Sequence, residues 1–542
     1  MISGLKVNED LKRSWYEQGW WSERTLFDEW SSAVSEAASK EYVADYQGVR
    51  YSYGQVDEQA DRLATWLSDA GVGNGDVVSL QFPTWADFCV AYVACLKLGA
   101  VIHPLPLAFN EPDMRYSMAK VGTKALICPT RFRHSEYETA AVHLRDELPS
   151  LQVLLCLDRI APSACGLPSM AQVIADTEPR HFESPARSED VAVILSTSGT
   201  TGPSKAAMLT HNNILFAERV YSKAYERGPE DVLWNPCPFN HATGFFHGLI
   251  TPMLMRSRVV LEEHFSPAEA VELINGEGVT WSIGSTPFIY DLMRHLEAED
   301  KSVPTLDVWA CGGAPLPGRM IKQAHGHGIR LCESYGSTES SPHIYVPPSK
   351  AVEWNGEWSG IPCDGVEVRV VDAQGTDVAP GERGEELSRG PNVFAGYLND
   401  PERTAEALDD EGWFHSGDLC YQDEQGRIKI CGRLKELIVR GGEKVGAREV
   451  DQHVEEHPDV YECATVGMPD DRMGERICTF IVPEEGRPVP TVPQMQGFLA
   501  AQGVAKRLWP ERIEAIEALP KTPMGKIQRY KLEEEIRRRL RS

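Results

Sequence analysis

Ten residues of this chain carry the densest set of groups able to hold an anion. Ser196 to Lys205 (STSGTTGPSK) combine six hydroxyl side chains, two glycines and a lysine. They follow directly on the apolar run Val191-Ala192-Val193-Ile194-Leu195. Glycines let successive backbone N–H groups turn inward as a concave anion nest, and the hydroxyls and the lysine add donors around it. Such a loop suits a polyphosphate. Most Ser/Thr/Gly loops are merely solvated turns, but a strand running into this one and a lysine at its far end favour the phosphate reading. It is not the P-loop of nucleotide triphosphatases: Gly202 is followed by Pro203-Ser204-Lys205-Ala206, so the Gly-Lys-Ser/Thr register fails.

Four further segments hold reactive residue types, each ordinary when taken alone. In Pro236 to Phe245 (PCPFNHATGF) a histidine and two aromatics stand among small residues, as in an apolar pocket with a polar mouth or in a core turn with a satisfied histidine. In Glu333 to Glu339 (ESYGSTE) a glutamate beside a threonine could hold Mg²⁺ and touch a phosphate, or be an exposed loop acid. In Trp413 to Asp418 (WFHSGD), followed by Gly432 to Glu436 (GRLKE), a carboxylate after glycine could accept both hydroxyls of a ribose while an arginine donates from the other side. The bland alternative is a turn acid and a surface ion pair. Finally, Pro520 to Lys526 (PKTPMGK) sets a lysine on a tight turn near the end of the chain.

These residues need a scaffold, and the patterning supplies one. Between 41 and 130 strands alternate with amphipathic helices: Val56, Ala60, Leu63 and Leu67 recur at helical spacing, Val77 to Gln81 reads as a strand, Ala86 to Leu98 as a helix and Ala100 to Ile102 as a strand. The rhythm returns at Val153-Leu154-Leu155, Val259-Val260-Leu261 and Val308-Trp309-Ala310. That alternation predicts parallel sheets covered by helices. From about 360 to 400 short strands such as Val366 to Val371 with Gly/Pro/Asp turns predict a small antiparallel sheet or barrel. A boundary near Gly432 to Lys435 leaves a compact C-terminal unit with strands at Cys463 to Met468 and Cys478 to Val482.

A chain of 542 residues exceeds one ordinary domain, and 42% hydrophobic with 25% charged residues is a globular composition. The net charge of −26 argues against general nucleic-acid or anionic-membrane partners, so anionic ligands need local basic patches. Lys435, Arg440, Lys444 and Arg448 form one such cluster; Arg537 to Arg539 with Arg541 read as a solvated helix end. Thirteen cysteines without a C-x-x-C pair indicate neither a disulfide framework nor a zinc site. With no apolar leader and no run of about 20 apolar residues, a cytoplasmic location is the default expectation.

The ordered series STSGTTGPSK, ESYGSTES, WFHSGD, GRLKELIVRGGEKV and PKTPMGK resembles the adenylate-forming superfamily across practically the whole chain. Within it NHATGFFHG, CGGAPLP, YGSTESSPH and RGPNVFAGY look most like bacterial short- and medium-chain acyl-CoA synthetases and cyclohexanecarboxylate-CoA ligases. The resemblance implies an α/β fold: an N-terminal domain, 1–432, of two α/β subdomains plus a small β-barrel, and a mobile C-terminal α+β lid, 433–542. It also implies a two-step reaction. A carboxylate and MgATP give acyl-AMP and pyrophosphate, and a thiol, that of CoA or of a holo carrier protein, then displaces AMP.

Roles follow by resemblance, residue by residue. Thr197, Ser198, Gly199, Thr200, Thr201, Gly202 and Lys205 would cradle the phosphates. Gly313, Ala314 and Pro315 with Glu333, Ser334, Tyr335 and Gly336 would flank adenine, and Asp418 and Arg433 would hold the ribose. Thr338 would touch the α-phosphate, Glu339 would hold Mg²⁺, and Lys526 would bridge the carboxylate and the α-phosphate. His241 would sit where carboxylate and thiol meet, within an acyl pocket of Phe239, His241, Thr243, Gly244, Gly284, Gly312 and Gly336. Lys435 would be the hinge, and Gly441 and Gly442 the wall of a pantetheine tunnel. Two positions depart from the family pattern: Ala206 replaces a common glycine, and Ser416 a common threonine.

No acidic residue lies between Pro236 and Ile250 to pair with a substrate ammonium, which disfavours an amino acid. An uncharged aliphatic or alicyclic acid is expected, with about half of Phe245, Phe246, Phe288 and Tyr290 falling in the core rather than the pocket. Two other readings stand beside the CoA ligase: an acyl- or aryl-AMP ligase loading a carrier protein, and a catalytically retired nucleotide or acyl sensor. Retention of Lys205, Glu339, Asp418 and Lys526 together weighs against the last.

Overall fold

The computed structural model describes residue 2 and residues 4–197, 205–313, 316–521 and 527–540, with the side chain of Thr197 also left out. Runs of Val, Ile and Leu without polar alternation are what strands buried on both faces require, and here they build two large sheets. The first has six strands in the order Lys205–Thr210, Val191–Thr197, Val101–Pro104, Val77–Leu80, Thr123–Pro129, Val153–Leu157. All neighbours are parallel except the first pair, which is antiparallel. The second has nine strands. Six central parallel ones, Glu41–Asp45, Arg258–Leu261, Val232–Asn235, Trp281–Ser285, Val308–Gly312 and Arg330–Tyr335, are flanked by short antiparallel edges.

Helix Asp87–Leu98 is apolar nearly all round and buried from Phe88 to Leu98, as a helix in the middle of a core must be. Its one buried cation, Lys97, reaches Asp57 and Asp61, each at 2.7 Å, on helix Tyr53–Asp69. Glycine at its end, Gly99, takes the left-handed conformation that closes the helix. The expected strands and helices between 41 and 130 thus lie where the periodicity put them, within a few residues.

An antiparallel sheet of Glu367–Val371, Gly384–Arg389, Phe414–Gln422 and Ile428–Arg433 follows. It is the small antiparallel unit anticipated after residue 360, and its pairing among the described residues is that of an open four-stranded sheet. The C-terminal sheet joins Glu443–Gly446, Leu437–Arg440, Gly474–Pro483 and Val460–Asp470, with Arg512–Ala515 added parallel to Gly474–Pro483. Its strands alternate between two cores. Cys463, Ile477 and Ile481 pack with Val450, Met495 and Leu499, while Ala464, Cys478 and Phe480 pack with Leu532 and Ile536. The molecule is therefore α/β, with a large N-terminal part and a smaller C-terminal domain. All thirteen cysteines are free thiols, and Cys165 alone is exposed. No helix among the described residues is long and apolar enough to cross a membrane.

Candidate active site

In open parallel sheets ligands bind beyond the carboxyl ends of the strands, and the candidate residues collect at such ends. Strand Val232–Asn235 runs into the Phe239–Gly244 segment, Trp281–Ser285 carries Gly284, Val308–Gly312 leads to Gly313, and Arg330–Tyr335 leads to Gly336, Thr338 and Glu339. Register aligns them: Ser285 lies opposite Gly312, and Gly312 opposite Ser334. Residues scattered over a hundred positions become neighbours in one row.

The two strands on either side of the candidate phosphate loop are antiparallel. Thr197 stands directly across from Lys205, and Ala206 across from Ser196. Ser198, Gly199, Thr200, Thr201 and Gly202, together with Ala314, Pro315 and Lys526, lie outside the described residues. Ala206, which stands where glycine is common, is buried, and its carbonyl accepts the Leu398 N–H at 2.9 Å. At the base of the loop, the Ser196 hydroxyl sits 3.1 Å from Ser117 Oγ and 3.4 Å from His103 Nε2. His103 Nδ1 lies 2.9 Å from Ser79 Oγ, and that hydroxyl is 2.7 Å from Thr123 Oγ1. Full burial pushes the His103 pKa down to about 3, so it is a neutral imidazole in this network.

Lys205 does not point into solvent. Its Nζ donates to the Tyr397 hydroxyl at 2.7 Å, lies 4.4 Å from the centre of that ring, and is 3.5 Å from Glu339 Oε1. Tyr397 in turn donates to Glu339 Oε1 at 2.6 Å. Burial, reinforced by Glu339, raises the Tyr397 pKa far above that of an ordinary phenol. The segment Val393–Leu398 holds both partners. Ala395 N–H donates to Met208 O and Leu398 N–H to Ala206 O, while Phe394 N–H donates to Glu339 O at 2.8 Å. Tyr397 was not singled out from sequence; its only signal is that it closes the RGPNVFAGY stretch.

The ribose candidates form a second cluster. Asp418 and Arg433 are cross-strand partners, with Arg433 Nε 2.8 Å from Asp418 Oδ1. Burial works against the Arg433 charge, but Asp418, Glu436, Tyr335 and Glu339 outweigh it and raise its pKa. The Tyr335 hydroxyl donates to Asp418 Oδ2 at 2.8 Å, which ties an adenine-flanking candidate to a ribose-binding candidate. Ser416 keeps the role a threonine hydroxyl could fill: its Oγ donates to Glu386 O at 2.7 Å and accepts the Asp418 N–H at 3.0 Å. Beneath lies a buried pair that sequence reading missed, His343 Nε2 at 3.0 Å from Glu386 Oε1. Glu333, also buried, accepts the Leu316 N–H at 3.0 Å. A side chain at Gly336 would place Cβ 2.6 Å from Pro342 Cα, so only glycine fits there.

At the acyl side, Thr243–Ile250 forms a π-helix, a wide turn often found at functional sites. Gly244 is forced by packing, since a Cβ would sit 2.1 Å from Pro238 O. His241 Nδ1 accepts the Thr243 N–H at 3.3 Å. Phe239 is stacked on Phe88 with ring centres 4.3 Å apart, and Phe245 and Phe246 are buried in the main core. Phe288 packs on Phe265 beneath Gly284, and Tyr290 faces Tyr461 of the C-terminal domain at 5.3 Å. Lys435 is exposed in a short 3₁₀ turn at Leu434–Glu436. Gly441 and Gly442 form the exposed turn of the hairpin Leu437–Arg440/Glu443–Gly446, both at positive φ.

Among the described residues no group of three or more His, Cys, Asp or Glu side chains could hold a metal. A single hard carboxylate, Glu339, beside a phosphate loop is nonetheless the donor set Mg²⁺ uses when water and phosphates complete its shell.

Comparison with known proteins agrees with this architecture. The AMP-binding enzyme family matches residues 30–398, and the AMP-binding enzyme C-terminal domain matches residues 449–526. A medium-chain fatty-acid–CoA ligase of Escherichia coli (strain K12) is 39% identical over 536 residues, 99% of this chain and 94% of its own. A feruloyl-CoA synthase of an Amycolatopsis species is 30% identical over 91% of this chain and 94% of its own. The crystal structure of ATP-bound MatB from Rhodopseudomonas palustris superposes with a TM-score of 0.85 at 27% identity, covering 95% of this chain and 99% of MatB. With the strand-end site and these matches together, the chain belongs to the AMP-binding enzyme family.

Proposed function

We propose that this chain is a cytoplasmic, AMP-forming acyl-CoA ligase for short- to medium-chain or alicyclic carboxylic acids. The observation that carries the reading is the pair of clusters Lys205–Tyr397–Glu339 and Tyr335–Asp418–Arg433, assembled by contacts between residues as much as 192 positions apart. The 39% identity to a medium-chain fatty-acid–CoA ligase supports the acid class.

Asp418 accepts the ribose hydroxyls and Arg433 donates across from it. Lys205, with the loop from Thr197, grips the β- and γ-phosphates, and Thr338 contacts the α-phosphate. Glu339 would hold Mg²⁺, which when bound would supply positive charge to the polyphosphate. A carboxylate oxygen of the acid bonds to the α-phosphorus as the bond to pyrophosphate breaks, and Lys526 offsets the charge developing between them. His241 borders the acyl carbon, where the thiol sulfur then adds, loses its proton and expels AMP. Division into residues 1–432 and 433–542, pivoting at Lys435, lets one cleft serve both half-reactions. Sheets that end at Arg433 and begin at Leu437 support that division.

ATP–pyrophosphate exchange over a panel of acids, followed by product analysis with CoA or a holo carrier protein, tests the reading. Exchange peaking with short- to medium-chain or cyclic acids and thioester formation on free CoA are expected. Loading of the carrier protein alone would move the enzyme to carrier-dependent biosynthesis, and no exchange with any acid would refute catalysis.

A further inference from the structure

We infer that Tyr397 is a positioning residue that keeps Lys205 and Glu339 apart, so that the carboxylate stays open to its metal and the lysine to phosphate. The inference rests on reading these two residues as phosphate and metal contacts. Its own basis is the hydrogen-bond order. The phenol accepts from Lys205 Nζ at 2.7 Å and donates to Glu339 Oε1 at 2.6 Å, whereas lysine and glutamate are 3.5 Å apart.

A phenol has one proton and lone pairs to spare, so it can satisfy both charged groups at once without neutralising either. Charge-assisted hydrogen bonds of this kind outrank neutral ones. The ring adds a cation–π contact to the ammonium at 4.4 Å. The backbone fixes where the hydroxyl lies: Tyr397 pairs with Ala207 and donates its N–H to Thr404 Oγ1 at 2.9 Å. The same segment clasps the Lys205 strand on one side and the Glu339 loop on the other. Without the hydroxyl, the flexible lysine would close directly on Glu339 and compete with the cation for its oxygens.

The test uses the full chain, α,β-methylene-ATP as a non-reacting probe, and Mn²⁺ in place of Mg²⁺. Calorimetry gives probe affinity with metal and with EDTA, and electron paramagnetic resonance counts bound Mn²⁺. In Tyr397→Phe the metal-dependent gain in probe affinity should fall about tenfold, with the KM for the acid unchanged. The double variant Tyr397→Phe/Lys205→Met should regain the metal dependence, because nothing is left to close on Glu339. An unchanged metal dependence in Tyr397→Phe, or no recovery in the double variant, overturns the inference. Should the phenylalanine variant fail to fold by circular dichroism, Lys205→Met alone decides. Mn²⁺ binding retained supports tyrosine as the holder of Glu339; Mn²⁺ binding lost assigns that role to the lysine. Failure of the wild-type chain to bind the probe at all would instead count against the functional reading.

Discussion

At the scale of single residues, charge and protonation make the sharpest demands. In the proposed adenylation step Lys526 acts through a fixed positive charge, so Lys526→Ala should lower pyrophosphate exchange by about a hundred- to a thousandfold. Displacement of AMP from preformed acyl-AMP should fall far less; equal losses in the two half-reactions would remove the assignment. His103 makes a different demand. Its pKa drops from 6.5 to about 3 on burial, so the unfolded chain takes up a proton first as pH falls. Stability contributed by the neutral imidazole is complete above pH 6.5 and is lost as the pH falls towards 3, at about 1.4 kcal/mol per pH unit. Between pH 6.5 and 4.5 the wild type should therefore lose about 2–3 kcal/mol that His103→Gln does not lose. Parallel denaturant curves across that interval would contradict the buried neutral histidine.

At the scale of elements, the site depends on where strands stop. The row Ser285–Gly312–Ser334 follows from parallel register alone, and register was legible in outline because each strand is a short Val/Ile/Leu/Trp run between helical stretches. The STSGTTGPSK, ESYGSTE and WFHSGD segments stand out by composition, although the strand that holds WFHSGD does not. Tyr397, His343 and Glu386 were not legible. Tyr397 meets Glu339 58 positions away and His343 meets Glu386 43 positions away, through pairing that no local pattern encodes. Nor was the π-helix, whose apolar sequence reads equally as an ordinary core helix. Gly336 gives this scale its test. In Gly336→Ala the new Cβ would meet backbone atoms of Pro342 at 2.6 Å, and backbone cannot yield as a flexible side chain can. The variant should cost about 1–3 kcal/mol and raise the KM for ATP more than that for the acid, as steady-state kinetics and thermal melts will show. Unchanged melting would mean that the loop has room the packing denies it.

At the scale of the whole molecule, aromatic and charged contacts among the described residues join the C-terminal domain to the larger part, including Arg294 over the Tyr461 ring and the ion pair of Arg383 with Glu449. Tyr461 meets Tyr290, Arg383 donates to Lys444 O at 3.0 Å, and the chain passes between the two through the exposed turn at Leu434–Glu436. Such contacts can break and re-form, which is the behaviour the proposed two-step reaction in one cleft requires. Lys435→Pro fixes φ at that turn. It should leave pyrophosphate exchange within about threefold of wild type while slowing thioester formation at least about tenfold. Normal overall turnover with CoA would place the pivot elsewhere.

The strand Lys205–Thr210 lies at the margin of its six-stranded sheet, and what covers its outer side is the segment Ala395–Leu398. A chain cut after Arg389 would retain every strand of both large sheets and still lack that cover. It would present the row Ala206-Ala207-Met208-Leu209, buried in the intact molecule, as an unpaired apolar template for other chains. The residues that position the phosphate-side lysine thus double as protection against edge-to-edge aggregation. Excising the nucleotide-binding part on its own means keeping the chain at least through Leu398.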